Sequence, residues 1–183
     1  IDKLNKVDSK ITISNHLLGI MGYAWNKLYR RSFLLNNNSS FEKGISLVED
    51  ALFNFTIYQK LDKIYFINKS YYHYLDRPIQ TLIKTFHNDS FNLKVRKNYI
   101  IENFLTTWCV KNKNELLGII LMQSIRYSIH TLYSFKNKLS AKEKIKYIKM
   151  MVYNENTKKN IQYYKPITFV DSCYKALIKY KYS

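Results

Sequence analysis

The sequence predicts a mixed α/β segment leading into a mostly helical one, mainly helical overall. Three observations predict it. Gly and Pro are scarce, at 4 and 2 among 183 residues, so few positions force turns and long helices are favoured. Residues 63–75 are rich in β-branched and aromatic side chains over strand-sized runs. From Ser90 onward, apolar residues recur with helical period, and capping signals precede several of the runs. The boundary falls near residue 88, giving segments 1–88 and 89–183. A hydrophobic content of 46% is that of a globular chain, with room for one ordinary domain.

In order along the chain, residues 1–10 are polar and aperiodic and read as a loop. Ser14-Asn15-His16 caps a short helix running towards Gly22. In the next stretch Leu28, Tyr29 and Phe33 share a face at helical spacing, with Lys27, Arg30 and Arg31 off it. Asn36 to Ser40 is a loop signal.

Ser46 to Leu61 is the clearest helix of the first segment. Ser46 and Glu49 fit the S-x-x-E capping box, in which each side chain bonds the other's backbone N–H. Val48, Ala51, Leu52, Phe55 and Tyr58 make one buried face, and Phe53, Ile57 and Leu61 a second apolar side. A helix apolar over so much of its circumference sits between two layers. Lys63–Ile67 and Lys69–Leu75 read as two short strands or one irregular strand, ended by Pro78, which lacks a ladder donor. Residues 77–88 then form a loop.

In the second segment, Leu93, Lys97, Ile100, Ile101, Phe104, Leu105 and Trp108 form one amphipathic stripe. A second helix, Glu115 to about Phe135, is apolar enough to be the centre of a bundle. Ser140 and Glu143 make another capping box, opening a basic helix to about Tyr153. Thr168 caps a last helix, with Val170, Cys173, Tyr174 and Leu177 on one face.

Charge is uneven. The chain carries a formal +17, and residues 90–183 hold 18 Lys/Arg against 5 Asp/Glu. That excess suits an anionic partner or, more plainly, a solvated lysine surface. Cys109 and Cys173 have no metal-ligand spacing and read as buried free thiols of a reducing compartment. The longest apolar run, Leu116 to Met122, is too short to span a bilayer. The chain opens on Ile1 and not Met, which reads as a fragment.

Two stretches carry chemistry. The first is Trp25-Asn26-Lys27-Leu28-Tyr29-Arg30-Arg31. The second is Glu49-Asp50-Ala51-Leu52-Phe53, followed by Tyr72-His73-Tyr74 and Arg77. By position alone, Glu49-Asp50 is an acidic first helical turn, which is common. In this order and spacing, however, the pieces resemble the C-terminal half of family 2 glycosyltransferases, across residues 22–86. Those are inverting enzymes of the GT-A, Rossmann-like fold that build bacterial capsular, wall-linked and lipid-linked saccharides.

The resemblance implies that segment 1–88 is the acceptor-side part of a GT-A core and 89–183 an appended basic helical domain. It makes Asp50 the general base. Inverting transfer is one in-line displacement at the anomeric carbon, and a carboxylate must take the acceptor hydroxyl's proton as the bond forms. It places Glu49, Trp25, Asn26 and Lys27 on the acceptor side. Glu49 serves there as Ser46's cap partner or as a sugar contact, and Trp25 as a core side chain or a platform for a sugar face. Arg77, Thr81 and Lys84, with Gln80 beside them, fall where relatives close a loop over the donor diphosphate, whose growing charge a cation neutralises. His73 and His87 are the candidates for a late metal ligand, though a His between tyrosines is more often packed.

The resemblance also implies Mn²⁺ or Mg²⁺ in the complete enzyme, held by an Asp-x-Asp. No D-x-D occurs in this sequence. The chain is therefore expected to carry the acceptor side and the base without a donor site, to hold no metal, and to be inactive alone. Its partners would be a nucleotide-sugar donor and a saccharide or lipid-linked acceptor at the cytoplasmic face of the membrane. Residues 136–149, with Lys136, Lys138, Lys142, Lys144, Lys146 and Lys149, suit an anionic leaflet. The rival reading is a basic helical module that binds nucleic acid or a partner protein, although no RNP, KH or zinc-finger pattern is present.

Overall fold

The structure, a computed structural model, describes residues 3–8, 11–73, 75 and 85–180. Over these residues the chain is mainly helical. Strand β1 (Lys3–Asn5) is followed by α1 (Asn15–Met21), α2 (Arg31–Asn36), α3 (Glu49–Gln59) and β2 (Lys63–Tyr65). Helices α4 (Ser90–Thr107), α5 (Lys113–Ser134), α6 (Ala141–Val152), α7 (Glu155–Asn160) and α8 (Phe169–Tyr180) come after, with a 3₁₀ turn at Ile161–Tyr163. The described residues fall into two compact units: those of 1–79 with 99–113, and those of 80–98 with 114–183. The sequence boundary near residue 88 thus differs from the grouping of contacts, which divides α4 itself at residues 98 and 99.

In the first unit β1 and β2 pair antiparallel, Leu4 opposite Ile64, and Lys6 N–H extends the ladder to the Asp62 carbonyl at 2.9 Å. The sequence reading had residues 1–10 as a loop. Only Leu4 is buried in β1, and one apolar residue shows no alternation, so the pairing comes from the distant partner and not from local pattern. Conversely, described residues 66–73 form no strand. Tyr65, Ile67, Tyr71 and Tyr72 are all exposed, so no apolar face drives a second ladder there.

Helix α3 is the centre of this unit. It is buried on most sides through Leu52, Phe53, Phe55, Ile57 and Tyr58, as its pattern predicts, and through Asn54, which the pattern left out. Phe55 and Tyr58 pack against Phe104 of α4 with centroids at 5.3 and 5.7 Å. Trp108, fully buried, donates its indole N–H to the Tyr58 carbonyl at 2.8 Å. Helix α4 ends in a Schellman motif: Val110 N–H bonds the Leu105 carbonyl and Cys109 N–H the Thr106 carbonyl, with Cys109 left-handed at φ 49. Asn112 clamps Ile13 by both its amide groups, at 3.2 and 2.7 Å.

The second unit has its own core of Phe91, Leu121, Met122, Ile125, Met151, Ile161, Tyr164 and Ile178. Helices α4, α5, α6 and α8 start within two residues of where the sequence places them, whereas α7 adds to that reading. Ser140 and Glu143 form the complete capping box of α6. The Thr168 hydroxyl accepts from Asp171 N–H at 3.1 Å. Asp171, itself buried, accepts from Arg126 at 2.9 Å. Gly118 of α5 lets the backbone of Tyr163 and Tyr164 approach so closely that a Cβ there would lie 2.5 Å from Tyr164 N.

Two expectations need correction here. The face read on α8 is turned. Asp171 and Ile178 are buried, whereas Val170 and Leu177 are 56% and 69% exposed, because the Asp171–Arg126 pair fixes the helix by its polar side. Both cysteines are free but exposed, not buried. Cys109 lies on the outward Schellman turn and Cys173 on the open face of α8. No helix of the described residues is long and apolar enough to cross a membrane.

Candidate functional site

The two motif stretches meet around the N-terminus of α3. The helix begins at Glu49, not Ser46, and its cap residue is Val48 with φ 62 and ψ 9, which makes no side-chain cap hydrogen bond. The expected Ser46–Glu49 box is therefore absent: residues 47–48 are a bend outside the helix, and Ser46 lies exposed. A left-handed β-branched residue is strained by ~1–3 kcal/mol. The bend holds Val48 there while Leu52 N–H closes the first helical bond on its carbonyl at 3.0 Å.

This overturns the division of labour expected of the acidic pair. Glu49, half-buried, makes no hydrogen bond or ion pair with a described residue. Asp50 is the engaged one. Its Oδ2 accepts the backbone N–H of Ala24 at 3.1 Å, while Oδ1 accepts from no described residue. A carboxylate at a helix start also faces the positive end of the helix dipole, worth ~0.3–1 kcal/mol.

Residues 22–30 form no helix, so the face expected of Leu28, Tyr29 and Phe33 does not exist. Leu28 is 93% exposed. The segment is instead a loop pinned to α3 by polar contacts. Asn54, fully buried, donates to the Gly22 carbonyl at 3.0 Å and accepts from the Tyr29 hydroxyl at 2.5 Å. The Tyr58 hydroxyl donates to the Met21 carbonyl at 3.0 Å. Burial, then the negative charge of Asp50, push the Tyr29 hydroxyl up to about 12, against the opposing Asn54 hydrogen bond. Burial also pushes the Tyr58 hydroxyl well above its ordinary range, with Tyr29 adding to it.

Lys27 and Asn26 serve the loop. The Lys27 ammonium donates to the Ile20 carbonyl at 3.1 Å, to Asn26 Oδ1 at 2.6 Å and to the Tyr23 carbonyl, which uses its three protons. Asn26 also donates to Ile20 O at 3.2 Å. Burial pulls Lys27 down to about 8, while the nearby Asp50 charge works the other way. Arg30 and Arg31 are exposed.

Trp25 is neither core nor bare platform. At 39% exposure it stacks on Tyr23 (centroids 5.2 Å, interplanar 26°) and on Tyr72 (4.8 Å, 28°). The three rings tie the segment around Tyr72 to the loop whose next amide, Ala24 N–H, holds Asp50.

Arg77, Gln80, Thr81 and Lys84, with the strand end at Tyr74, lie outside the described residues. His73 is exposed and His87 half-buried. Among the described residues no group of three or more His, Cys, Asp or Glu side chains is placed to hold a metal ion. What the arrangement can do chemically is hold one carboxylate oxygen on a backbone amide and present the other to a proton donor.

Comparison with protein-family models, with curated proteins and with solved structures found no match.

Sequence reasoning missed Asn54, the buried link between the two stretches. The signal was there: a helix apolar on nearly every side leaves its one internal amide facing inward too, where it must find partners.

Proposed function

We propose that the chain is the acceptor-side part of an inverting GT-A glycosyltransferase, in which Asp50 takes the proton from the acceptor hydroxyl that attacks a nucleotide-sugar. One observation carries the reading. The Gly22–Arg31 stretch and the Ser46–Asn54 stretch, separate in sequence, are joined by Ala24 N–H to Asp50 Oδ2 and by Asn54 to Gly22 and Tyr29. A base must be held in place before it can act, and an anchored oxygen beside an open one meets that need. The strained Val48 immediately before the pair adds support, since such outliers gather where position matters.

In this reading Asp50 is the base and the Tyr23–Trp25–Tyr72 stack borders the acceptor. Asn26 and Lys27 position the loop. Arg77, Thr81 and Lys84 would answer the leaving diphosphate. The nucleotide-sugar and its Mn²⁺ or Mg²⁺ would be held by an Asp-x-Asp outside these 183 residues, with catalysis on the cytoplasmic side of the membrane.

The lysine face of α6 favours a supplementary role at an anionic leaflet. Lys142, Lys146 and Lys149 are exposed, whereas Tyr147, Ile148 and Met151 are spent on the core. Attraction there would be electrostatic and would weaken with salt. The same face would serve the alternative reading, a module for nucleic acid or a partner protein.

The test replaces Asp50 with Asn at the native locus and follows labelled sugar from nucleotide-sugars into saccharide product. Transfer should fall by ~10²–10⁴-fold at unchanged protein level. Unchanged transfer would end the reading.

A further inference from the structure

The second unit buries two ammonium groups with no acid paired to them among the described residues. Lys94 and Lys97 lie at i and i+3 on α4, followed by Asn98 at i+4, so the three share one face. Lys94 is 7% exposed. Its Nζ reaches Ser90 Oγ at 3.2 Å and sits 4.0 Å above the ring of Tyr127 on α5. Lys97 is half-buried and makes no hydrogen bond or ion pair with a described residue. Asn98, 1% exposed, donates to Ser124 of α5 at 3.4 Å, but its Oδ1 has no partner among the described residues. Burial pulls both ammonium groups down to about 8, Lys94 also through repulsion from Lys97.

Buried cations in native folds are paired or neutralised, because an isolated buried charge is costly. Here one cation–π pair, worth ~0.5–2 kcal/mol, stands against two desolvated ammoniums that repel each other. Hydrophobic residues would be more stable in both positions, so the pair answers to something else.

We infer that Lys94 and Lys97, between α4 and α5, form a binding site for a phosphate group. A phosphoryl group carries about −1.5 to −2 charge at neutral pH, which matches two ammoniums, whereas a carboxylate matches one. Lys94 and Lys97 supply the two charges from one face of α4. The inference does not depend on sugar transfer. A free diphosphate and a phospholipid headgroup both carry such a group, and the same chemistry serves both.

The experiment is thermal unfolding of the 183-residue chain in pyrophosphate against sodium chloride at equal ionic strength, with calorimetric titration of pyrophosphate. Saturable stabilisation with one equivalent bound is expected. Lys97→Met should fold normally and bind at least about tenfold more weakly, whereas Lys165→Met, at an exposed position, should bind as wild type. Bicelles containing phosphatidic acid form a second arm. A Lys97-dependent shift with either pyrophosphate or bicelles supports the site and identifies the source of the phosphate. Equal unfolding temperatures in every medium, or a shift weakened as much by Lys165→Met as by Lys97→Met, overturn it.

Discussion

The backbone N–H of Ala24 donates to Oδ2 of Asp50 at 3.1 Å, across 26 residues of sequence. It makes Asp50 the more constrained of two adjacent carboxylates, with a second oxygen that accepts from no described residue. Removing the acceptor should loosen the loop as well as the helix start. Asp50→Ala should cost ~1.5–3 kcal/mol, the range for a hydrogen bond to a charged group. Asp50→Asn, which retains an oxygen for Ala24 N–H, should cost less. Urea denaturation of the two variants measures the difference.

The two serine-acid pairs should behave oppositely. Ser140→Ala removes a cap that is made and should destabilise by ~0.5–2 kcal/mol. Ser46→Ala, at an exposed position outside α3, should leave stability within ~0.5 kcal/mol of wild type. Val48→Gly should hold or raise stability, because Gly takes a positive φ without the penalty Val carries. Chemical denaturation of all three separates a real cap from a sequence resemblance to one.

Gly118 should tolerate no side chain. Its missing Cβ is replaced by the backbone of Tyr163 and Tyr164, which cannot yield like a flexible side chain. Gly118→Ala should cost ~1–3 kcal/mol by overpacking, despite the better helix propensity of Ala. The unfolding midpoint should fall, and 1-anilinonaphthalene-8-sulfonate should report a loosened second unit.

Stability should rise from pH 7 to 9 in phosphate-free buffer. Lys27, Lys94 and Lys97 are all pulled to about 8 from 10.5, so the unfolded chain keeps protons that the fold gives up. The cost of charging them is full below the folded value and fades as pH climbs through it. Tyr29, Tyr127 and Tyr147, near these lysines, are all pushed upward and titrate above this window. Lys97→Met should flatten the rise, as should saturating pyrophosphate, which neutralises the pair in place. A flat wild-type profile over that range would contradict the assignment.

The helical half was legible because its signals are local. The Ser140 and Thr168 caps, the Leu93–Trp108 stripe and the apolar run of α5 each announce themselves within a few turns. The first unit was less so. β1 forms only because Lys63–Tyr65 meets it, and no nearby residue says so. The start of α3 was misread because S-x-x-E describes a local preference, while the chain bends at residues 47–48 with Val48 left-handed. Those residues read as a helical face, yet their contacts are hydrogen bonds given by Asn54 and accepted by Asp50, which leave no periodic trace.

The most direct measurement of the central claim compares the two neighbouring acids in one transfer assay. Asp50→Asn and Glu49→Gln each remove one charge at the same helix start, so a general electrostatic loss would affect both alike. With Asp50 as the base, Asp50→Asn should reduce transfer by ~10²–10⁴-fold while Glu49→Gln stays within about tenfold of wild type. The reverse order, or equal loss in both, would contradict it.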